Sequence, residues 1–289
     1  MICIEARSLR KNYGTTVALD NINLSVDSGR IVGLIGANGA GKTTLLNAVL
    51  GLISYQGELN VLGHAPWDER DRLMTDACFI SDVALLPRWM RVSQLLQYVA
   101  GVHPRFNRGK AEAFLAKTAI KKTNKIRELS KGMVVQLHLA IVMAIEARLL
   151  VLDEPTLGLD IIYRKQFFDS LLNNYFDGYS TILLATHQLD EIQNVLTDVL
   201  FLDRGRIVFR HSMEEVESRY REVTVRPEQI AAARSLRPLH ERTALGRTTM
   251  LFDGIGDERL ATLGEVRTPG IADLFMKIVG DPPVQGAAR

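Results

Sequence analysis

The chain has 289 residues, 47% of them hydrophobic and 24% charged, and a net charge of only +2 at pH 7. That length admits one large domain, or one domain with a smaller appendage. The near balance of charge leaves no electrostatic footprint for nucleic acid, and none is expected as a partner. Cys3 and Cys78 lack metal-ligand spacing and fit a reducing compartment. No segment reaches the roughly 20 apolar residues of a membrane-spanning helix. The most apolar run, Leu137 to Ala147, is interrupted by His138 and Glu146. The N-terminus alternates like a strand and lacks a signal-peptide run, so any membrane role is expected from the cytoplasmic side, through other chains.

In chain order, residues 2–9 and 17–26 read as strands of an antiparallel layer, with a polar turn around Tyr13–Thr16. Ile31 to Ile35 is a short, largely β-branched run that ends at a glycine-rich turn. Lys42 to Leu50 then reads as a helix stopped by Gly51. Leu59–Leu62 and Cys78–Ile80 are further strand candidates. From 92 to 147 the periodicity is helical, with Leu95, Leu96 and Val99 on one stripe and Ala113, Leu115, Ala116 and Ala119 on another. LLVLD (149–153) and TILLAT (181–186) are near-continuous apolar runs, the pattern of parallel strands buried on both faces. Residues 161–177 between them read as a crossover helix, and 199–209 as a hairpin turning at Arg204-Gly205. After about residue 210 the composition shifts to 12 basic and 12 acidic side chains, with Lys277 as the single lysine. Strand candidates at 223–225 and 249–252 and an amphipathic stretch from Ile271 to Val279 predict a small α+β accessory domain. Its last residues, DPPVQGAAR, read as loose.

The decisive motif is GANGAGKT: Gly36, Ala37, Asn38, Gly39, Ala40, Gly41, Lys42 and Thr43, followed by Thr44. It follows a predicted strand and opens a predicted helix, the setting of a phosphate-binding P-loop. Glycines let successive N–H groups turn inward around phosphate oxygens, and the helix N-terminus adds a favourable dipole. Lys42 would reach the β- and γ-phosphates of a nucleoside triphosphate, and the Thr43 hydroxyl would bind Mg²⁺. In LLVLDEP at 149–155, Asp153 ends an apolar strand, where its carboxylate would reach the metal. Glu154 follows and would orient the attacking water or accept its proton.

With these two motifs in place, residues 1–210 resemble the ABC transporter ATPase family. LSKGM (129–133) stands where that family carries LSGGQ, keeping Ser130 and Gly132, which the resemblance places on the γ-phosphate held by a second subunit. TLGLD (156–160) looks like the family's dimer-interface loop, with Asp160 its acidic residue. His187 matches the histidine that senses the γ-phosphate, and Tyr13 the residue that stacks on adenine. Taken singly these are weak signals. A histidine after a strand is usually a hydrogen-bonded turn residue, and LSKGM alone could be a helix cap with Ser130 as N-cap. Their order around two strong motifs carries the resemblance.

The resemblance implies a P-loop NTPase core with an antiparallel β subdomain, a helical subdomain over about 88–147, and the accessory domain over 211–289. It also implies an ATPase that closes around ATP and Mg²⁺ with a second copy or a related cassette. Separate integral membrane permease subunits would hold it at the cytoplasmic face of the membrane. The general pattern looks most like export-type cassettes. Three departures stand out. Asp82 occupies the position of a usual glutamine and would be an oxygen ligand to Mg²⁺. Lys131 and Met133 replace glycine and glutamine of the signature, and the helical stretch 92–128 is short. The segment LLPRWM (85–90) fits either docking of a partner helix or core packing. A soluble ATPase acting on ribosomes or DNA is the first rival, disfavoured by a single P-loop and no sustained heptads. A binding-only regulatory cassette is the second.

Overall fold

A computed structural model of the chain describes residues 1–80, 86–157, 161–174, 176–187 and 192–280. β1 (Ile2–Tyr13) and β2 (Thr16–Asp27) form an antiparallel hairpin, and β4 (Gln56–Val61) pairs with the free side of β1. The inward positions Ile4, Ala6 and Leu9 of β1 and Ile22, Leu24 and Val26 of β2 are buried, as period-two alternation requires. Each strand runs further than its apolar residues indicated, because backbone pairing extends to the turn at Tyr13 and Thr16.

The main sheet has six strands in the order β5-β6-β7-β3-β8-β9. These are β3 (Ile31–Ile35), β5 (Ala77–Ile80), β6 (Leu149–Asp153), β7 (Thr181–Ala185), β8 (Asp198–Asp203) and β9 (Arg206–Ser212). The first five run parallel, and β9 returns antiparallel to β8 through the expected hairpin. All five residues of β3 and of β7 are buried, which accounts for their unbroken apolar runs.

The two faces of this sheet feed different cores. Val151 and Leu183 pack with Leu45 and Leu46 of α1 (Lys42–Val49) and with Leu19 and Leu24 of the small sheet. Their neighbours Leu150 and Ile182 point the other way, against Val135 and Leu139 of α5 (Lys131–Met143) and Phe167 of α6 (Ile161–Asn174). α2 (Arg70–Asp76) leads into β5. α3 (Val92–Val102) and α4 (Arg108–Leu115) close a third cluster against α5 through Val92, Leu96, Ala111, Leu115, Leu137 and Ala140.

One expected stripe is corrected here: Ala113, Ala116 and Ala119 are exposed. Ala111 and Leu115, one helical turn apart, do the packing. The helix ends at Leu115, where the Thr118 hydroxyl donates to the Leu115 carbonyl at 2.8 Å and accepts from the Ile120 N–H at 3.1 Å.

Beyond β9 come α7 (Met213–Arg219), β10 (Tyr220–Val225), α8 (Ile230–Ser235), β11 (His240–Ala244), β12 (Arg247–Asp253), α9 (Asp257–Ala261), β13 (Gly264–Arg267) and α10 (Ile271–Phe275). The four strands form an antiparallel sheet in the order β11-β12-β10-β13. One face packs on α8 and α9 through Val223, Met250, Phe252, Ala233 and Leu260. The other face meets the main sheet's hairpin, where Tyr220, Leu251 and Leu274 share a cluster with Ile35, Phe201 and Phe209. Phe201 stacks on Phe209 at 4.6 Å between ring centroids and receives the edge of Phe275 at 5.3 Å. On that same face Glu222, 3% exposed, accepts from Arg267 Nε at 2.7 Å and contacts Lys277 Nζ. Arg267 also reaches Asp273 at 3.0 Å. Burial pushes the Lys277 amine down to about 8.

Candidate nucleotide site

The P-loop, Asp153, Glu154 and His187 come together at the carboxyl edge of the main sheet, where open α/β sheets offer a crevice beyond their strand ends. GANGAGKT begins at the end of β3 and runs into α1. Two glycines are required by close packing. A Cβ on Gly36 would lie 2.5 Å from the Leu202 carbonyl oxygen of β8. Gly41 has a φ of 108°, and a Cβ there would lie 2.5 Å from the Ala18 carbonyl oxygen of β2. The loop is thus wedged between the two sheets, with Ala37, Asn38 and Gly39 exposed and Ala40 buried. Lys42 is 8% exposed, and its Nζ donates to the carbonyls of Gly36 at 2.7 Å and Ala37 at 3.3 Å. A buried ammonium on neutral acceptors is set to take an anion. Thr44 lies in the first turn of α1.

Asp153 ends β6, separated from β3 by β7 alone. It accepts from the Thr43 hydroxyl at 2.9 Å, so the P-loop and the strand end are in direct contact. Burial pushes the Asp153 carboxyl above its ordinary value, opposed by the Thr43 hydrogen bond; the Glu154 charge raises it further and Lys42 lowers it. Glu154 has a left-handed φ of 49°, a conformation uncommon for a non-glycine residue. The Glu154 N–H donates to the Ala185 carbonyl of β7 at 2.9 Å. This turn carries the side chain to the end of β7, where the Thr186 hydroxyl donates to Glu154 Oε2 at 3.2 Å. Glu154 Oε1 lies 2.9 Å from His187 Nδ1. Sequence reasoning missed Thr186; the available signal was its place between an apolar strand and the candidate histidine.

Other candidates lie on separate elements. Tyr13 ends β1 at the tip of the hairpin, half exposed, with Lys11 Nζ 5.2 Å from its ring centroid. Ser130 is the N-cap of α5, its Oγ accepting from the Met133 N–H at 3.3 Å, and Gly132 is buried in the first turn. Asp82 and Asp160, and Leu85 of the segment 85–90, lie outside the described residues. Among the described residues no helix is long and apolar enough to cross a membrane.

The sequence matches the family described as ABC transporter over residues 19–157. It is 30% identical, over 303 aligned residues, to the Nod factor export ATP-binding protein I of Cupriavidus pinatubonensis (strain JMP 134 / LMG 1197). That match covers 96% of this chain and 90% of the relative. It is also 30% identical, over 215 residues, to the tungstate uptake system ATP-binding protein TupC of Peptoclostridium acidaminophilum, covering 71% and 96%. In fold it resembles the solved structure of cbiO1 from Clostridium perfringens, part of the ABC transporter complex cbiONQ. There the TM-score is 0.65 at 23% identity, over 82% of this chain and 95% of that one. A P-loop lysine on backbone carbonyls, a strand-end aspartate bonded to the P-loop threonine, and a relative matched over 96% of this chain agree on one conclusion: this chain belongs to the ATP-binding subunits of ABC transporters and is an ATPase.

Proposed function

We propose that the chain hydrolyses Mg-ATP at the edge formed by β3, β6 and β7, and that ATP closes it against a second copy or a related cassette. The observation that carries this reading is the joined pair of contacts, Thr43 to Asp153 and Glu154 to His187, both at 2.9 Å. The Thr43 hydroxyl and the Asp153 carboxylate are hard oxygen donors already in contact, which fits Mg²⁺. Asp82 is proposed as a further oxygen ligand. The metal, when bound, would neutralise charge developing on the β- and γ-phosphates.

In this mechanism the Gly36–Thr44 backbone cradles the phosphates while Lys42 leaves its carbonyls for the β- and γ-oxygens. Tyr13 stacks on adenine. Glu154, fixed through both oxygens by Thr186 and His187, holds the attacking water and takes its proton. His187 senses the γ-phosphate. Ser130 and Gly132 at the start of α5, with Asp160, contact the nucleotide bound to the partner cassette. ATP favours the closed pair only while the γ-phosphate remains, and hydrolysis reopens it. Permease subunits would receive that motion at the cytoplasmic face.

Residues 1–210 are proposed as the cassette and 211–289 as an accessory domain. β9 crosses that line, since it runs to Ser212. Export is the proposed direction, supported by the match to an export relative over 96% of this chain, against 71% for an uptake relative. The test is Glu154→Gln. It is expected to bind ATP, to hydrolyse it at least about 100-fold more slowly, and to double its solution mass by light scattering when Mg-ATP is added. Unchanged turnover removes Glu154 from its role. A monomer with ATP bound points to a different cassette as partner or to a need for the permease subunits.

A further inference from the structure

A second concavity lies where the two sheets meet edge to edge, one hydrogen bond from the P-loop, since the Gly205 N–H donates to the Ala40 carbonyl at 2.9 Å. β2 is an edge strand of the small sheet and β9 an edge strand of the main sheet. The Asp20 N–H donates to the Gly205 carbonyl at 2.8 Å, joining them at one end. Further along, Arg210 Nη2 donates to the Ser25 carbonyl at 2.7 Å. A groove of about 460 Å³ opens there, lined by Arg10, Asp20, Asn21, Asn23, Arg206 and Arg210, with the apolar residues 207–209 of β9.

The groove carries an excess of positive charge. Arg206 Nε donates to Asp20 Oδ2 at 2.7 Å, and Arg10 Nε stands 3.9 Å from Asp20 Oδ1. Asp20 is the one carboxylate in the lining, so three guanidinium charges against one leave an excess of two. A guanidinium has five N–H donors; Arg206 and Arg210 spend a few on the contacts named, and among the described residues Arg10 makes only a long ion pair. The side chains of Arg10 and Arg206 are 56% and 69% exposed, so their remaining donors are open to solvent. Asn23 is spent on structure: its Nδ2 donates to the Asn21 carbonyl and its Oδ1 accepts from the Ser8 N–H, both at 3.0 Å.

We propose that this seam binds a phosphate-class dianion. Two negative charges bring the groove to neutrality, which a single carboxylate would not. The planar forks of Arg10, Arg206 and Arg210 match phosphate oxygens in pairs. The bound anion bridges β1, β2 and β9 and so ties the small sheet to the main one. The same stretch of β2 bears on the nucleotide site, because the Ala18 carbonyl is the oxygen against which Gly41 and Gly205 both pack.

The test uses the full chain saturated with Mg²⁺ and a non-hydrolysable ATP analogue, so that the β- and γ-phosphate positions are filled and inorganic phosphate cannot enter them. Inorganic phosphate is titrated by calorimetry, and flotation is run with phosphatidylcholine vesicles with and without phosphatidic acid. Two variants are compared, each first checked by thermal unfolding. Arg10→Gln/Arg210→Gln removes two forks. Asn21→Asp adds a carboxylate to the groove without removing any of the contacts above, at a left-handed position (φ 57°) that Asp tolerates. Binding of phosphate weakened by at least about tenfold in both variants supports the site and a soluble ligand. Capture by phosphatidic acid vesicles alone, lost in both variants, supports the site and a lipid headgroup as its source. Failure of both probes to bind, or binding unchanged in both variants, overturns the proposal.

Discussion

At the carboxyl edge of the main sheet, Lys42 is 8% exposed and rests its ammonium on two backbone carbonyls. In the C-terminal sheet, Glu222 is 3% exposed and its carboxylate meets Arg267 and Lys277. Both are buried charges, and both would be costly if left alone. They differ in the kind of partner. Neutral carbonyls hold the Lys42 ammonium directly, with the Asp153 carboxylate felt only at longer range, and leave it able to be drawn to an anion. Two opposite charges fix Glu222 and leave it nothing further to bind. On the proposed reading, a buried charge on neutral partners serves binding, and one on charged partners serves as a clasp.

The comparison breaks if Lys42 turns out to be structural. Lys42→Ala should cost at least about 100-fold in ATP hydrolysis and leave the unfolding midpoint in denaturant nearly unchanged. A large loss of stability with little loss of turnover would reverse the assignment.

For Glu222→Ala the reverse holds. Removing one partner of a buried ion pair costs about 3 kcal/mol, the low end being expected because Arg267 is more than half exposed. Chemical denaturation should show that loss, with turnover per folded molecule preserved.

The smallest effect is on Asp153, and its sign is informative. Its folded-state pKa is raised above the ordinary 3.8, so the folded chain keeps that proton over a window where the unfolded chain has lost it. Stability therefore falls as pH rises through that window, and at neutral pH the ionised carboxylate slightly destabilises the nucleotide-free fold. Asp153→Asn should hydrolyse poorly yet be equal or slightly higher in stability at pH 7, with the difference vanishing toward pH 4. A clear loss of stability at pH 7 would show that the ionised carboxylate is needed for folding.

How far these features can be read from sequence follows from their physical origin. GANGAGKT is legible because glycine spacing, lysine and threonine are each required locally. LLVLD and TILLAT are legible because a strand buried on both faces must be apolar throughout. The alanines at 113, 116 and 119 misled because alanine is neutral to burial, and the helix ends at Leu115, whose carbonyl accepts from both the N–H and the hydroxyl of Thr118. β11, HERTA, and β13, GEVR, carry almost no apolar signal and exist by pairing with β12 and β10. At the site, the residue types of Asp153, Glu154 and His187 were readable. The left-handed turn at Glu154 and the Thr186 hydroxyl that anchors it arise only when β6 and β7 lie side by side.

The stacked rings of Phe201 and Phe209 have a bearing on how the chain can be cut. Both belong to the hairpin of the main sheet, yet their outer surfaces are roofed by Phe275, Tyr220 and Leu251 from the C-terminal elements. Truncation after residue 212 would leave an aromatic surface facing water, a sticky patch of the kind that draws proteins into aggregates. A shortened version of this subunit would need polar replacements on that hairpin before it stayed in solution.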